Sequence, residues 1–337
     1  MDYKLTVIMA CYNQADIIGG AIGSVLMQKT NFPFQLIITD DHSTKDDTVK
    51  VLKQYEKKYP DIIKVLYNKE NGRYLKNVLR AKAITKTPYF TLLDPDDYWT
   101  DENYLQNAVD YLDAHPDMVI YARNVECVDE SGKRWFFIPE SAPDRDYTFE
   151  DYLKNNIAIP QTTGGVFRNV IFANGIPKIM SDAVGTIHER SFESDFDRFI
   201  MHIKYGGAHF ENKVSGVYRV LSGGIWSRMN LFERLSNQAQ TVIDYNEYYE
   251  HKYENFFIKS AWNALNVAMN FVKTVPPNIT FAKDARESFF NALTECLKHA
   301  DLLKQQQQRP KPKKLKDKIR FYLYTRFQKN LAKKGIV

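Results

Sequence analysis

Acidic side chains that could hold a metal ion and a diphosphate follow two apolar runs near the start of the chain. Asp40 and Asp41 follow one run, and Asp94, Asp96 and Asp97 follow another. Mg²⁺ and Mn²⁺ take oxygen ligands from one or two carboxylates and the rest from phosphates and water. Consecutive carboxylates repel one another unless donors satisfy them, and a nucleotide base or ribose offers such donors. The pattern indicates a site for a nucleotide diphosphate and a divalent cation.

The same residue types also occur in ordinary turns and helix caps. Residues 94–97 could merely cap the next helix, and residues 43–47 fit that description well, because Asp, Pro, Ser and Thr are common in both roles. A single short acidic motif needs structural context to support it. The context here is a second acidic strand end.

Alternating strands and helices must bring these residues together. Short β-branched runs alternate with stretches of helical period, which is typical of β-α-β units and a mainly parallel sheet. In such sheets the ligand site lies outside the carboxyl ends of the strands. The pattern predicts strands at residues 5–9, 34–39, 62–66, 89–93, 118–125, 134–138 and 214–220, and helices at 15–28, 46–59, 75–85, 102–115 and 192–204.

Three segments at the strand ends together resemble glycosyltransferase family 2. They are residues 7–13 (Val-Ile-Met-Ala-Cys-Tyr-Asn), 38–44 (Ile-Thr-Asp-Asp-His-Ser-Thr) and 93–97 (Leu-Asp-Pro-Asp-Asp), in the order and spacing of the family. The resemblance covers about residues 6–226. It implies an α/β GT-A domain, the Rossmann-like fold of nucleotide-diphospho-sugar transferases, followed by a mainly helical C-terminal region.

The resemblance implies a donor site with a metal cofactor. Asp94 and Asp96 would form the family's Asp-x-Asp motif at the ribose and metal, with Asp97 assisting and Mn²⁺ or Mg²⁺ as the cofactor. The residues implied to bind the nucleotide sugar are Ala10, Tyr12, Asn13, Asp41, Arg73, Asp94 and Arg219.

The resemblance also implies a catalytic base. The family places one at the start of a later helix, and the segment Glu-Ser-Asp-Phe-Asp-Arg-Phe matches it with Asp195, while Glu193 and Asp197 are the alternatives. An ionised carboxylate there would accept the proton of the acceptor hydroxyl as its oxygen attacks the anomeric carbon. A single base implies single displacement with inversion. Acidic residues in a first helical turn are, however, stabilised by the helix dipole in any protein.

One position departs from the family. A histidine that helps to hold the metal or diphosphate often stands near the position that Leu221 occupies here. Three explanations stay open: the metal relies on Asp96, phosphates and water; Arg219 neutralises part of the charge; or metal dependence is weaker than usual.

The function that the resemblance implies is a metal-dependent, hexosyltransferase-type enzyme. It would move a sugar from a UDP-sugar to a hydroxyl of a glycan or lipid-linked acceptor, with bacterial surface polysaccharide synthesis as its setting. The alternatives are a non-catalytic sugar-nucleotide-binding or scaffolding protein of the same fold and a nucleotidyl transferase. A dehydrogenase and a P-loop kinase are excluded because neither glycine-rich phosphate motif occurs.

The charge of the chain is concentrated near its C-terminal end. Residues 309–334 hold eleven Lys and Arg and one Asp, a net of +10, so the total of +5 leaves 5 − 10 = −5 for the rest. An acidic body argues against a nucleic-acid partner. Apolar residues recur every four positions among the basic ones, which predicts an amphipathic helix that either lies on an anionic membrane surface or packs on protein. They are Leu315, Ile319, Leu323, Phe327 and Leu331.

The predicted organisation has four parts and a cytoplasmic setting. The parts are a GT-A domain at 1–228, a helical region at 229–303, a linker at 304–314 and the basic helix at 315–334. Three widely spaced cysteines fit neither a zinc cage nor a disulfide framework, which favours a reducing compartment. No signal peptide or membrane-spanning segment is predicted, so a membrane contact would be peripheral, on the inner face of the cytoplasmic membrane.

Overall fold

The computed structural model describes residues 2–155, 157–276 and 278–307. The predicted basic helix at 315–334 and most of the predicted linker at 304–314 lie outside the described residues.

The chain forms two compact units. The N-terminal unit comprises Met1–Val184 and Phe192–Arg219, and the helical unit comprises Gly185–Ser191 and the chain from Val220 onward. The division therefore falls earlier than the expected boundary at residue 228.

Strands and helices alternate through the first half of the chain, and helices dominate the second half. The strands are β1 (Leu5–Cys11), β2 (Phe34–Asp40), β3 (Ile63–Tyr67), β4 (Tyr89–Leu92), β5 (Tyr98–Trp99), β6 (Met118–Asp129), β7 (Arg134–Phe136), β8 (Arg145–Tyr147), β9 (Gly165–Arg168) and β10 (Gly207–Val220). The helices are α1 (Ala15–Leu26), α2 (Thr48–Lys58), α3 (Arg73–Ile84), α4 (Tyr104–Ala114), α5 (Phe149–Leu153), α6 (Lys178–Ala183), α7 (Asp195–Ile203), α8 (Ile225–Arg228), α9 (Leu231–Tyr248), α10 (Glu254–Val272), α11 (Lys283–Lys298) and α12 (Ala300–Gln307).

The strands of the N-terminal unit form one mixed sheet in the order β3-β2-β1-β4-β9-β6-β10-β5, with β7 on β6 and β8 on β10. The pairs β3-β2, β2-β1 and β1-β4 are parallel, whereas β9 pairs antiparallel with both β4 and β6. The predicted α/β class and the parallel half of the sheet are confirmed.

Apolar side chains explain why the parallel strands lie at the centre. β1 is apolar at six of its seven positions and β2 at four of seven, and both strands are almost wholly buried, as expected for strands that are covered on both faces. α1 buries one stripe, at spacings of three and four residues, against the same core. The stripe comprises Ile18, Ala21, Ile22 and Val25.

Two glycines allow the antiparallel half to approach closely. A Cβ on Gly164 would lie 2.3 Å from the carbonyl oxygen of Arg123, and one on Gly216 would lie 2.4 Å from that of Tyr98. A larger residue at Gly164 would push the turn before β9 away from β6, and one at Gly216 would push β10 away from β5. Both contacts matter for the site, because they set the positions of residues 161–164 and of the end of β10.

The helical unit contains long helices packed around α9. α9 contacts both α10 and α11, and it begins at a capping box in which Asn230 and Glu233 satisfy each other's backbone N–H groups. A mainly helical C-terminal region is therefore confirmed. Among the described residues, no helix has the length and apolar character needed to cross a membrane.

The three cysteines are buried and unpaired. Burial raises the pKa of all three thiols, that of Cys127 to about 12 and that of Cys296 to about 12.

Candidate active site

The strand ends predicted from the sequence meet at one edge of the sheet. Cys11 at the end of β1 is in register with Asp40 at the end of β2. The Asp41 amide donates to the Cys11 carbonyl (2.9 Å), and the Leu93 amide donates to the Ile8 carbonyl (3.0 Å). The segments after β1, β2 and β4 therefore lie side by side, as the rule for parallel sheets requires.

At one end of this edge, Asp41 is buried and already hydrogen-bonded. Its Oδ1 accepts from Asn68 Nδ2 (2.8 Å) and from the Gly72 amide (2.8 Å). Asn77 supports Asn68 by accepting from the same amide nitrogen (3.0 Å). Within the described part of the chain these hydrogen bonds fall on Oδ1, so Oδ2 remains available to accept a hydrogen bond from a ligand.

The neighbouring predicted residues frame this end in different ways. Asn13 adopts a left-handed conformation (φ 51°), and its Oδ1 accepts from the amides of Thr44 (3.1 Å) and Lys45 (3.0 Å), so its side chain shapes the loop after β2. Ala10 is half-buried and Tyr12 is 40% exposed. Arg73 begins α3 with φ 66° and is exposed, one residue after the glycine that contacts Asp41.

Asp97 is fully buried and joins three distant segments. Its Oδ1 accepts from the Arg219 amide (2.9 Å), and its Oδ2 accepts from Thr163 Oγ1 (2.8 Å) and Gln161 Nε2 (3.1 Å). Burial, followed by the charges of Asp94 and Asp96, raises the pKa of Asp97 well above its ordinary value. Asp97 therefore fixes the turn at 161–164 and the end of β10 relative to the other two carboxylates.

Asp94 and Asp96 are buried carboxylates that interact with each other, and each has an arginine nearby. Burial raises the pKa of Asp94, the neighbouring Asp96 raises it further, and Arg198 opposes the rise. Burial also raises the pKa of Asp96, against the effect of Arg219. The Arg219 guanidinium donates from Nε to the Asp96 backbone carbonyl and lies over the Tyr98 ring, 5.6 Å from its centroid.

Asp195 and Asp197 lie in the same turn of α7 but in opposite environments. Asp195 begins the helix with its side chain 32% exposed, and its Oδ1 accepts from Thr162 Oγ1 and from Arg198 Nη2 (2.7 Å). Asp197 is 1% exposed, and neither of its carboxylate oxygens has a hydrogen-bond partner within the described structure. Burial raises the pKa of Asp197 to about 6, although Arg198 and Lys82 oppose the rise.

The carboxylates suit a hard divalent cation that is also bound by phosphates. Asp94 and Asp96 offer oxygen donors, and Asp96 raises the pKa of Asp94 in a way that a cation would relieve. The described residues contain no cluster of three or more His, Cys, Asp or Glu side chains that could hold a metal by themselves. Mg²⁺ and Mn²⁺ do not require one when substrate phosphates and water complete the coordination.

Several residues of the site were not foreseen from the sequence. Thr162 and Arg198 contact Asp195, and Asn68 contacts Asp41. Arg198 could have been found, because it stands three residues after Asp195 and so shares its helix face. Thr162 could not, because only the antiparallel pairing of β9 with β4 brings its turn to the site.

The comparisons with known proteins agree with this geometry. The family model described as Glycosyl transferase family 2 matches residues 6–175. The protein Rv1520 of Mycobacterium tuberculosis, named as uncharacterized, is 28% identical over 222 residues, which cover 66% of this chain and 60% of that protein. The teichoic acid poly(glycerol phosphate) polymerase of Staphylococcus epidermidis is 36% identical over 94 residues, 28% of this chain and 13% of that protein.

A solved structure gives the same fold. Residues 1–349 of TarS from S. aureus, crystallised with UDP-GlcNAc, superpose with a TM-score of 0.60 at 16% identity, covering 87% of this chain and 80% of that chain. At this identity the likeness establishes the GT-A-like fold alone. Because the family model spans half of the sequence, and the motifs that it covers end at one edge of the sheet, this chain belongs to glycosyltransferase family 2.

Proposed function

We propose that this protein is an inverting glycosyltransferase that moves a sugar from UDP to a hydroxyl of a glycan or lipid-linked acceptor. The observation that carries the proposal is the grouping of Asp94, Asp96 and Asp195, a pair of donor-side carboxylates and a separate, partly exposed carboxylate within electrostatic reach of Asp94. Donor binding and proton removal require these two kinds of carboxylate.

Uridine is favoured by the chemistry of Asp41. Its Oδ1 is committed to Asn68 and Gly72, so Oδ2 presents a hydrogen-bond acceptor. Uracil carries a proton on N3, whereas the N3 of cytosine is itself an acceptor and would be repelled. We propose that Asp41 binds the uracil base and that Asp94 binds the ribose. The residues proposed to surround the nucleoside are Ala10, Tyr12, Asn13 and Arg73.

A divalent cation is proposed at Asp96, with Asp94 as its second carboxylate. Mn²⁺ or Mg²⁺ would supply charge neutralisation for the diphosphate leaving group. Arg219 lies beside Asp96 and lowers its pKa, so it is the residue proposed to take over part of the role of the histidine that Leu221 replaces.

The transfer step needs one base and no covalent enzyme intermediate. Asp195 accepts the proton of the acceptor hydroxyl while that oxygen forms a bond to the anomeric carbon. The bond from the anomeric carbon to the diphosphate breaks, and its electron pair leaves with UDP. Attack and departure on opposite faces invert the configuration at the anomeric carbon.

The acceptor and the setting are proposed from the relatives and the charge pattern. The chain spans about 60% of the length of Rv1520, and a relative that it matches over a shorter stretch is named a teichoic acid poly(glycerol phosphate) polymerase. We propose surface polysaccharide synthesis at the inner face of the cytoplasmic membrane. The basic residues 309–334 would attract an anionic lipid surface there.

Calorimetric binding of UDP tests the proposal, on the natural chain and on Asp96→Asn, with and without Mn²⁺. We expect Mn²⁺ to strengthen UDP binding to the natural chain and to have much less effect on the variant. CDP is the matched control, because it carries the same diphosphate and differs at the base that Asp41 contacts. Failure of UDP to bind in either condition would overturn the proposal.

A donor screen with UDP-sugars then separates an enzyme from a binding protein. Transfer or slow hydrolysis of one donor supports the enzymatic function. Tight UDP binding with no turnover of any donor would favour the scaffolding alternative.

A further inference from the structure

We propose that Arg198 and Thr162 are positioning residues that hold Asp195 Oδ1 and leave Oδ2 as the oxygen that takes the acceptor's proton. The inference rests on the proposed function of Asp195 as the base, and it adds which atom acts and what holds it.

The geometry fixes one carboxylate oxygen. Arg198 Nη2 lies 2.7 Å from Asp195 Oδ1 and 2.5 Å from Thr162 Oγ1, and Thr162 Oγ1 donates to the same Oδ1. The three groups form a closed triangle in which both hydrogen bonds to Asp195 fall on one oxygen. Because the side chain of Asp195 is still 32% exposed, Oδ2 is the oxygen that an acceptor can approach.

Burial makes this arrangement rigid. Arg198 is 3% exposed and Thr162 is 8% exposed, so water cannot replace their hydrogen bonds to Asp195. Arg198 follows Asp195 by three residues on α7, and Thr162 is held by the turn that Asp97 anchors through Thr163 and Gln161. Asp195 is therefore held by Arg198 from its own helix and by Thr162 from the turn before β9.

Charge explains why the partner of the base is an arginine. Asp94 and Asp197 both interact electrostatically with Asp195 and Arg198, so Arg198 places a positive charge among these three carboxylates. An arginine keeps its charge at any physiological pH and donates in a fixed planar geometry. Arg198 thus supplies both a permanent positive charge and a directed hydrogen bond to Asp195 Oδ1.

The contacts of Arg198 argue against a role limited to neutralising Asp197. The hydrogen bonds from Nη2 go to Asp195 and Thr162, whereas both oxygens of Asp197 lack a hydrogen-bond partner within the described structure. The second cation near Asp197, Lys82, is fully buried and lies over the Phe172 ring, 4.4 Å from its centroid. A purely structural arginine would be expected to bond the carboxylate that lacks partners.

The kinetic test is a double-mutant cycle between Arg198→Gln and Asp195→Asn. If Arg198 acts through Asp195, R198Q lowers kcat by roughly 100-fold, within the range of general base catalysis, while UDP affinity changes less than about threefold. In the D195N background the same change lowers the residual rate by less than about threefold. The proposal would be overturned if the double variant lost kcat by the product of the two single losses. A loss of UDP affinity in R198Q as large as its loss of kcat would also overturn it.

Conservative variants separate positioning from folding. We expect Thr162→Ser, which keeps the hydroxyl, to retain most of kcat, and Thr162→Val, which keeps the shape, to lose roughly tenfold, a loss in the size range of one buried hydrogen bond. R198K should recover part of the rate that R198Q loses. If Thr162→Val and Thr162→Ser have equal rates, the hydroxyl does not position the base.

A crystal structure of R198Q keeps the inference distinct from the proposed function. We expect the Asp195 carboxylate to leave its position while the Asp97 anchor stays in place. An unmoved Asp195 would overturn the inference even in an active enzyme. A displaced Asp195 in a protein that turns over no donor would uphold the positioning contacts and overturn the proposed function.

Discussion

The two ends of the sheet edge differ in how completely their carboxylates are satisfied. Asp41 is buried, and hydrogen bonds from Asn68 and Gly72 fix it before any ligand arrives. At the other end, Asp94 and Asp96 crowd together with raised pKa values. A preorganised end is suited to recognition, because binding requires little rearrangement. An end at which carboxylates crowd together is suited to binding a cation and to catalysis.

The largest effect expected from this contrast is on Asp195. Asp195→Asn removes the base but keeps the shape and a hydrogen-bonding oxygen, so we expect kcat to fall by roughly 10²- to 10⁴-fold. UDP affinity should remain near that of the natural chain, because the nucleotide end is untouched. Initial-rate kinetics with UDP calorimetry on the same preparation measures both.

Glu193→Gln and Asp197→Asn serve as controls for the choice of base. If either of them abolishes transfer while Asp195→Asn does not, the base is assigned to the wrong carboxylate.

Asp197 provides a pH-dependent test of the crowded end. Burial raises the pKa of Asp197 to about 6, so between its unfolded value near 4 and pH 6 the folded state holds the extra proton and the fold loses stability as the pH rises. Above that range both states are ionised and the destabilisation stays constant. Asn resembles the protonated form. The free energy of unfolding of Asp197→Asn relative to the natural chain should therefore rise by about 2 to 3 kcal/mol between pH 4 and pH 8.

Denaturant titrations at several pH values measure this difference. A stability difference that is constant with pH would show that Asp197 titrates normally and that the crowding is relieved in some other way.

A smaller effect is expected at the nucleotide end, on binding rather than on rate. In Asp41→Asn, the side-chain oxygen still accepts from Asn68 and Gly72, so the new side-chain NH₂ group must face uracil. This donor then opposes the N3–H donor of uracil. UDP affinity should fall by roughly 10- to 100-fold, the cost of about one to two buried hydrogen bonds. CDP should lose much less, because its N3 can accept a hydrogen bond from that amide nitrogen.

Calorimetry with both nucleotides compares the two affinities. Equal losses for UDP and CDP would mean that Asp41 does not contact the base.

Local patterns in the sequence predicted the parallel half of the molecule well. Apolar runs at the centre of a parallel sheet are continuous and end sharply, so both the strands and the acidic residues after them were visible without a structure. Asp94, Asp96 and Asp41 came to one edge because of strand direction alone.

The antiparallel half was less visible. β8 and β9 are three and four residues long, which is too short for a periodic signal, and β9 pairs with β4 across a long stretch of chain. Thr162 therefore entered the site through pairing that no local pattern encodes. Asp97 shows the same limit, since only the fold reveals that it anchors residues 161–163 and Arg219.

The burial of all three cysteines makes the protein well suited to site-specific labelling. Maleimides and related probes react with thiolates, and buried thiols whose pKa is raised form them very rarely. A cysteine introduced at an exposed position such as Tyr205, which is 50% exposed, would react first. A fluorophore or spin label can thus be attached to one chosen site without removing any native cysteine.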